Sequence, residues 1–266
     1  MVLNGEGMKQ KQTVYYYSTF QDDFVGKPGE KAELPEAYCY IRSGRIYNAW
    51  AAFFHKMMGK IAIFYFTFLK KVKVVNREVL KPYSDTGCFL YGNHTMPVGD
   101  VFSPALVGDG RRFYTIASAV NLKLPVIGKW LPALGALPVP THAQQVKAFE
   151  AAIQKRIEEN NLVVIYPEAH VWPYYTKIRE YEATSFRYPV QCNAPAFAMT
   201  TTYQKRGKKK KPAVTIYVDG PFYPNVTLPK KEQRKVLRQQ VYEAMKKRSK
   251  ESTYAYISYQ AKEEKR

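Results

Sequence analysis

The sequence predicts an α/β fold, a sheet flanked by helices, and three observations carry the prediction. Beyond residue 71, short β-rich runs alternate with helical stretches, the pattern of a layered α/β domain. Two of those stretches repeat apolar residues at helical spacing. The 266 residues, 46% of them hydrophobic, suffice for one large core; a chain of this length buries roughly 70 to 75% of its unfolded surface. Neither a disulfide nor a structural metal is needed. The three cysteines, Cys39, Cys88 and Cys192, lie far apart with no CxxC pair, which excludes a disulfide framework and a zinc ribbon and fits a reducing compartment.

In chain order, residues 1–39 read as a polar, tyrosine-bearing extended arm with a turn at Gly26-Lys27-Pro28-Gly29. Residues 40–71 read as an amphipathic interfacial segment. Its apolar stretch, 46–69, is interrupted by His55, Lys56 and Lys60, leaving two uncharged runs of nine residues. A spanning helix needs about 20. On a helix, Lys56, Lys60, Thr67 and Lys71 form one narrow polar stripe. The broad remaining face carries Trp50, Phe53, Phe54, Phe64, Phe66 and Phe68, which suits the bilayer interface; burial against the chain's own domain is the other reading of such a face.

Residues 72–228 form the α/β domain, with strands predicted over 72–76, 88–92, 113–117, 136–139, 162–166, 196–203 and 214–218. Between the fifth and its predecessor, Thr141 is placed to N-cap a helix with Gln144 at the capping-box position, so that Val146, Phe149, Ile153 and Ile157 line one face. Residues 229–266 form a basic helix and tail; the helix, over 229–248, turns Val236, Leu237, Val241 and Met245 inward.

The formal net charge is +19, which implies an anionic partner. From Lys205 onward, 18 Lys and Arg stand against 6 Asp and Glu, so most of the excess sits in the last quarter. The run Lys205, Arg206, Lys208, Lys209, Lys210, Lys211 reads as a solvated loop. One amphipathic element plus a polybasic patch is the two-signal arrangement of stable peripheral membrane binding, so anionic phospholipid is the expected partner. Nucleic acid is the less favoured one, because the basic residues lie apart from most of the 22 tyrosines. The first 20 residues hold no apolar h-region, and Val2 stands where myristoylation needs Gly. The expected location is the cytoplasmic face of a membrane, peripherally bound.

Two histidines directly follow β-rich runs, where α/β folds place functional groups. His94 follows Phe89-Leu90-Tyr91-Gly92-Asn93 and precedes Thr95-Met96-Pro97-Val98-Gly99-Asp100. The Pro/Gly loop allows Asp100 to N-cap the next helix and turn its carboxylate toward His94. A carboxylate on one imidazole nitrogen leaves the other free to take a proton from an alcohol. The second cluster, Val163-Val164-Ile165-Tyr166-Pro167-Glu168-Ala169-His170, is a buried strand ending in Pro and then an acid.

Together the two clusters resemble the lysophospholipid acyltransferase family, which includes the bacterial 1-acylglycerol-3-phosphate acyltransferases. Residues Asn93, His94 and Asp100 look like its NHx4D motif, and Tyr166-Pro167-Glu168-Ala169-His170-Val171 looks like its FPEGTR motif. Leu134-Gly135-Ala136-Leu137-Pro138-Val139-Pro140-Thr141 is similar to the family's intermediate block, and Ala194-Pro195-Ala196-Phe197-Ala198-Met199-Thr200 to its last apolar strand. Order and spacing agree over about 110 residues.

The resemblance implies a single acyltransferase-type domain with a mixed β-sheet flanked by helices, preceded by an amphipathic membrane-associated helix. It implies transfer of a fatty acyl group from a thioester, acyl-CoA or acyl-carrier protein, to a hydroxyl of a lysophospholipid or related glycerolipid in phospholipid biosynthesis or remodelling. His94 would be the general base and Asp100 its orienting partner; Asn93, Glu168 and His170 would belong to the substrate site. No cofactor and no metal are implied. The chain departs from the pattern in two ways. Five residues, not four, separate His94 from Asp100, and Thr141 and Val171 stand where the family has arginines for the acceptor phosphate. Arg179, Arg187 and Lys177, just downstream, are the candidate replacement cations; the alternative is an acceptor that is not a glycerol phosphate. Two other readings use the same residues: a metal-assisted hydrolase built on His94, Asp100, Glu168 and His170, and a non-catalytic basic membrane- or nucleic-acid-binding protein.

Overall fold

A computed structural model describes residues 13–26, 31–207 and 209–262. Lys27, Pro28 and Gly29 of the expected turn lie outside the described residues, as does Lys208. Seven strands, β2 (Lys73–Val75), β3 (Cys88–Gly92), β4 (Phe113–Ala117), β5 (Ala136–Pro138), β6 (Leu162–Ile165), β7 (Ala196–Arg206) and β8 (Lys209–Phe222), form one sheet in the order β2-β8-β7-β3-β6-β4-β5. Only the β7–β8 pair is antiparallel, so the sheet is mixed.

Strands β3 and β6 lie at the middle of the sheet with both faces covered, which is why they read as unbroken apolar runs and why every residue in them is buried. Their side chains alternate between two cores. Phe89, Tyr91, Val163 and Ile165 meet α3 (Val146–Glu158), α4 (Arg187–Cys192) and α5 (Lys230–Ser249); Cys88, Leu90, Leu162 and Val164 meet α1 (Arg45–Phe64) and α2 (Ser103–Val107).

Helix α1 passes at its C-terminal end into a single π-turn, Tyr65–Leu69. Ala51, His55, Ala62 and Phe66 face inward, so Phe66 leaves the expected outer face. Phe54 is half-buried, stacked on Trp50 with ring centroids 5.3 Å apart. Outward, Ile46, Trp50, Phe53, Met57, Ile61, Phe64 and Phe68 are exposed, stepping by three or four residues along one ridge. Among the described residues no helix is long and apolar enough to cross a membrane.

Four sequence expectations change. Residues 13–17 are not merely an extended arm: β1 (Thr13–Tyr17) pairs in parallel with β9 (Ile257–Ala261), Tyr15 opposite Tyr259, so the arm and the tail close on each other. The described residues of the lysine run are strand and not loop: Lys205 and Arg206 end β7 and Lys209, Lys210 and Lys211 open β8, with Arg206 opposite Lys209. The capping box falls one residue later, on the 3-10 turn Ala143–Gln145 that leads into α3: His142 and Gln145 make it, because the Thr141 hydroxyl accepts from Leu34 N (2.9 Å). On α5, Val236 is exposed; Gln233 and Tyr242 join Leu237, Val241 and Met245 inside.

His55 fastens α1 to the sheet, its ring 4.6 Å from that of Phe113. Burial, and secondarily the Arg112 charge, hold its pKa down at about 4 against the ordinary 6.5. Above pH 6.5 the ring is neutral folded and unfolded. As pH falls from 6.5 through about 4 the unfolded chain takes up a proton that the folded chain refuses, so stability is lost across that window. Melting temperature followed over this range should fall less steeply for His55→Phe than for the wild type; identical slopes would contradict a buried neutral ring.

Candidate active site

The site lies where β3 and β6 end side by side in the sheet's centre. The chain after β3 runs through Asn93 and His94 into a turn in which Asp100 N donates to Met96 O (3.1 Å) and Ser103 N to Gly99 O (2.8 Å). This turn absorbs the additional residue. The Asp100 carboxylate folds back instead of capping α2, which starts at Ser103 after Phe102. Its Oδ2 lies 2.7 Å from His94 Nδ1 and accepts from Met96 N (3.0 Å).

Asp100 is sealed off, its side chain 2% exposed, while that of His94 is 20% exposed. Burial raises the Asp100 pKa, opposed by the His94 contact and by backbone donors. A partner on Nδ1 fixes the tautomer and leaves Nε2 as the ring's proton acceptor; Nε2 has no protein partner among the described residues. Tyr166, not singled out in the sequence, lies under this pair. Its ring stacks on the imidazole at 4.5 Å and 19°, and its hydroxyl donates to Asp100 O (2.5 Å). Gly92 makes room for it, since a Cβ there would lie 2.5 Å from the Tyr166 ring. The only sequence signal was a hydroxyl where the FPEGTR motif has Phe.

Glu168 is placed differently from the expectation that it meets the acceptor. Its side chain is 0% exposed and that of Arg179 1%. Oε2 accepts from His94 N (3.1 Å) and Arg179 Nη2 (3.1 Å), and Oε1 from Arg179 N (2.9 Å). Glu168 therefore holds the His94 loop and does not point at a substrate. Arg179 is committed as well: it donates to Phe20 O (3.0 Å) and to His170 O, and stacks on Trp172 with its guanidinium carbon 4.8 Å from the ring centroid. A neutralised, buried guanidinium cannot serve as a phosphate clamp.

Asn93 is also turned inward. Its amide accepts from Thr201 N (2.7 Å) and donates to Thr201 O (3.0 Å), stitching β3 to β7 beyond the end of their ladder. His170 is half-exposed and faces Asp23 of the N-terminal arm at 3.4 Å; Lys177 is exposed on the following loop. The four residues of the metal reading do not converge, because Glu168 faces Arg179 and His170 faces Asp23. Among the described residues no group of three His, Cys, Asp or Glu is spaced to hold an ion.

Residues 71–221, more than half of the chain, match the family model described as Acyltransferase. The chain belongs to the Acyltransferase family. Its fold is similar to the crystal structure of the 1-acyl-sn-glycerophosphate (LPA) acyltransferase, PlsC, from Thermotoga maritima, with a TM-score of 0.53 and 14% identity over 78% of this chain and 83% of that one. No curated protein matches the chain in sequence. The matched residues span both motif clusters, and the protein is an acyltransferase built on a mixed sheet flanked by helices.

Removing the Arg179 side chain would strand a buried Glu168 carboxylate. Breaking such a pair costs about 3 to 5 kcal/mol, so urea unfolding of Arg179→Ala should show a loss of that order. A loss of a few tenths, the value of a surface pair, would show that the two charges are not sealed together.

Proposed function

We propose that this acyltransferase moves a fatty acyl group from an acyl thioester, acyl-CoA or acyl-carrier protein, to a hydroxyl of a lysophospholipid or related glycerolipid at a membrane surface, in phospholipid biosynthesis or remodelling. The observation that carries the reading is the 2.7 Å contact between His94 Nδ1 and the buried Asp100 carboxylate, with the second ring nitrogen open to an incoming group.

His94 Nε2 takes the proton of the acceptor hydroxyl as its oxygen attacks the thioester carbonyl, and Asp100 stabilises the imidazolium that forms. The tetrahedral intermediate collapses with loss of thiolate, which recovers the proton from the imidazolium. The products are an ester and a free thiol, and His94 returns to its starting state without an acyl-enzyme. The Tyr166 ring and the Glu168 bond to His94 N keep the imidazole from swinging away between steps.

The membrane reading is supported by the apolar ridge of α1, together with exposed Val98 and Val101 in the loop that carries Asp100. On the inner side, the ring contact between Phe66 and Phe102, 6.1 Å between centroids, joins the π-turn that ends α1 to the catalytic loop. An acceptor lipid in the bilayer would thus meet His94 without leaving the interface. The cytoplasmic face is the side proposed, as that is where acyl thioesters are available.

Incubation with a labelled acyl thioester and a lysolipid panel should give a labelled diacyl product. His94→Ala should reduce turnover about 10²- to 10⁴-fold, the usual contribution of a positioned base, and Asp100→Asn should have a smaller but clear effect. Near-wild-type turnover of His94→Ala would contradict the mechanism. Because Arg179 is neutralised by Glu168, Arg179→Met should slow transfer to lysophosphatidic acid and to a neutral monoacylglycerol by the same factor; a selective loss on the charged acceptor would make Arg179 a phosphate ligand after all. Co-sedimentation with anionic vesicles should exceed that with neutral ones and survive salt in part, because screening leaves apolar insertion untouched. Replacing Phe53 and Phe64 by Ser should release the protein, and retention of that variant on vesicles would contradict insertion through α1.

A further inference from the structure

At the other end of the parallel strands from His94, a cavity of about 420 Å³ lies between the chain around Arg42, the first turn of α1, the start of β4 and the C-terminal end of α3. Four cations line it and one acid. Glu159 accepts from Arg156 (2.7 Å) and Lys155 (3.2 Å), so these two cations share one carboxylate and keep a net positive charge. Arg42 and Arg112 have no carboxylate partner among the described residues. Arg42 donates to the Tyr47 hydroxyl (3.3 Å) and lies over its ring, and Arg112 lies over the ring of Tyr114. The Nε atoms of Arg112 and Arg156 are buried without a hydrogen-bond partner.

Helix α1 opens onto the same space through Tyr47 and Asn48. Gly44 gives it no side-chain cap, and its first turn holds no acidic residue, so its free backbone N–H groups and positive end are available to an anion. Burial raises the Tyr114 and Tyr38 pKa values, which keeps both hydroxyls protonated at neutral pH. Two unpaired guanidiniums, neutral phenols and a helix N-terminus complement a group with several acceptor oxygens and two charges.

The rim of the cavity runs directly onto apolar surface. Tyr47 touches Trp50 (centroids 6.1 Å), and Trp50 touches Trp130 (5.5 Å). Beside them Ile46 is 87% exposed, and Leu124, Val126 and Ile127 are exposed as well. Such a ledge suits the chains of a lipid whose headgroup enters the cavity.

We propose that this cavity is a second, non-catalytic site for a phosphate monoester, of the kind carried by the headgroup of phosphatidic acid or by a small soluble phosphate. The strands separate it from the catalytic loop, so it can be occupied while His94 works. It would anchor the N-terminal end of α1 on anionic membrane, while the C-terminal end lies beside the catalytic loop.

Tryptophan fluorescence reads the site, because two of the three tryptophans, Trp50 and Trp130, stand at its rim. Full-length protein carrying His94→Ala, so that turnover plays no part, is titrated with dihexanoyl phosphatidic acid, dihexanoyl phosphatidylcholine and glycerol 3-phosphate. A saturable change with phosphatidic acid and none with phosphatidylcholine is expected, and Arg42→Gln or Arg112→Gln should weaken it about tenfold, as for loss of a charge-assisted hydrogen bond. Glycerol 3-phosphate separates the sources. An equal response, equally sensitive to the arginines, identifies the phosphate alone as the ligand, and a response confined to phosphatidic acid identifies the lipid. Arg42 is exposed, so its variant keeps the fold. Unchanged affinity in both arginine variants, or matching curves for the two lipids, would overturn the proposal.

Discussion

A carboxylate leaves water only if charged or hydrogen-bonding partners replace it, and two buried carboxylates, Glu168 and Asp100, organise the centre of this molecule. Glu168 takes Arg179 as counter-charge and His94 N as a further donor, so the chain after β6 and the chain after β3 cannot move independently. Asp100 takes the His94 ring and Met96 N. Backbone and side chain of one histidine are thus held by two different acids. Trp172 N and Tyr174 N, which donate to His94 O and Thr95 O at 2.9 and 2.8 Å, complete the weld between the two loops.

The same constraint explains why the N-terminal arm belongs to the fold. Arg179 reaches Phe20 O, and Trp172 Nε1 donates to Asp22 O (2.8 Å). Tyr17, Phe20 and Phe24 pack on the Trp172 ring, and β1 is clamped by β9. The two ends of the described chain therefore close over the ion pair and keep water from it. On the opposite side of the sheet, α1 keeps its small residues and His55 inward and leaves its large apolar residues outward, so the helix packs on the domain while offering a second apolar face. Domain packing and the membrane contact proposed for α1, which compete in the sequence pattern, call on different sides of one helix.

What the sequence made legible follows from range of interaction. Strands β3 and β4 fall on the predicted residues because central apolar runs bounded by Gly and by polar turns declare themselves locally. The β1–β9 pair did not, since neither Thr13–Tyr17 nor Ile257–Ala261 has a local feature that names a partner some 240 residues away. The cap at His142 was missed because the Thr141 hydroxyl is used by Leu34, a contact across 107 positions. In the site, the residue types and their order were visible, but the direction of each side chain was not. Asn93 was legible as part of a motif and turned out to bond β7; Arg179 was legible as a nearby cation and turned out to be neutralised. Tyr166 carries the imidazole on its ring, yet a single aromatic at the end of a buried strand looks like any other core residue.

The central claim is that the longer loop still brings Asp100 onto Nδ1 of His94, leaving Nε2 to accept a proton. Nitrogen-15 spectroscopy of the imidazoles tests it directly, as the chain has only four histidines. At a pH where the ring is neutral, His94 should show the Nδ1–H tautomer with a slowly exchanging, hydrogen-bonded proton, and that signature should be lost in Asp100→Asn. An Nε2–H tautomer, or a His94 spectrum unaltered by Asp100→Asn, would contradict the account.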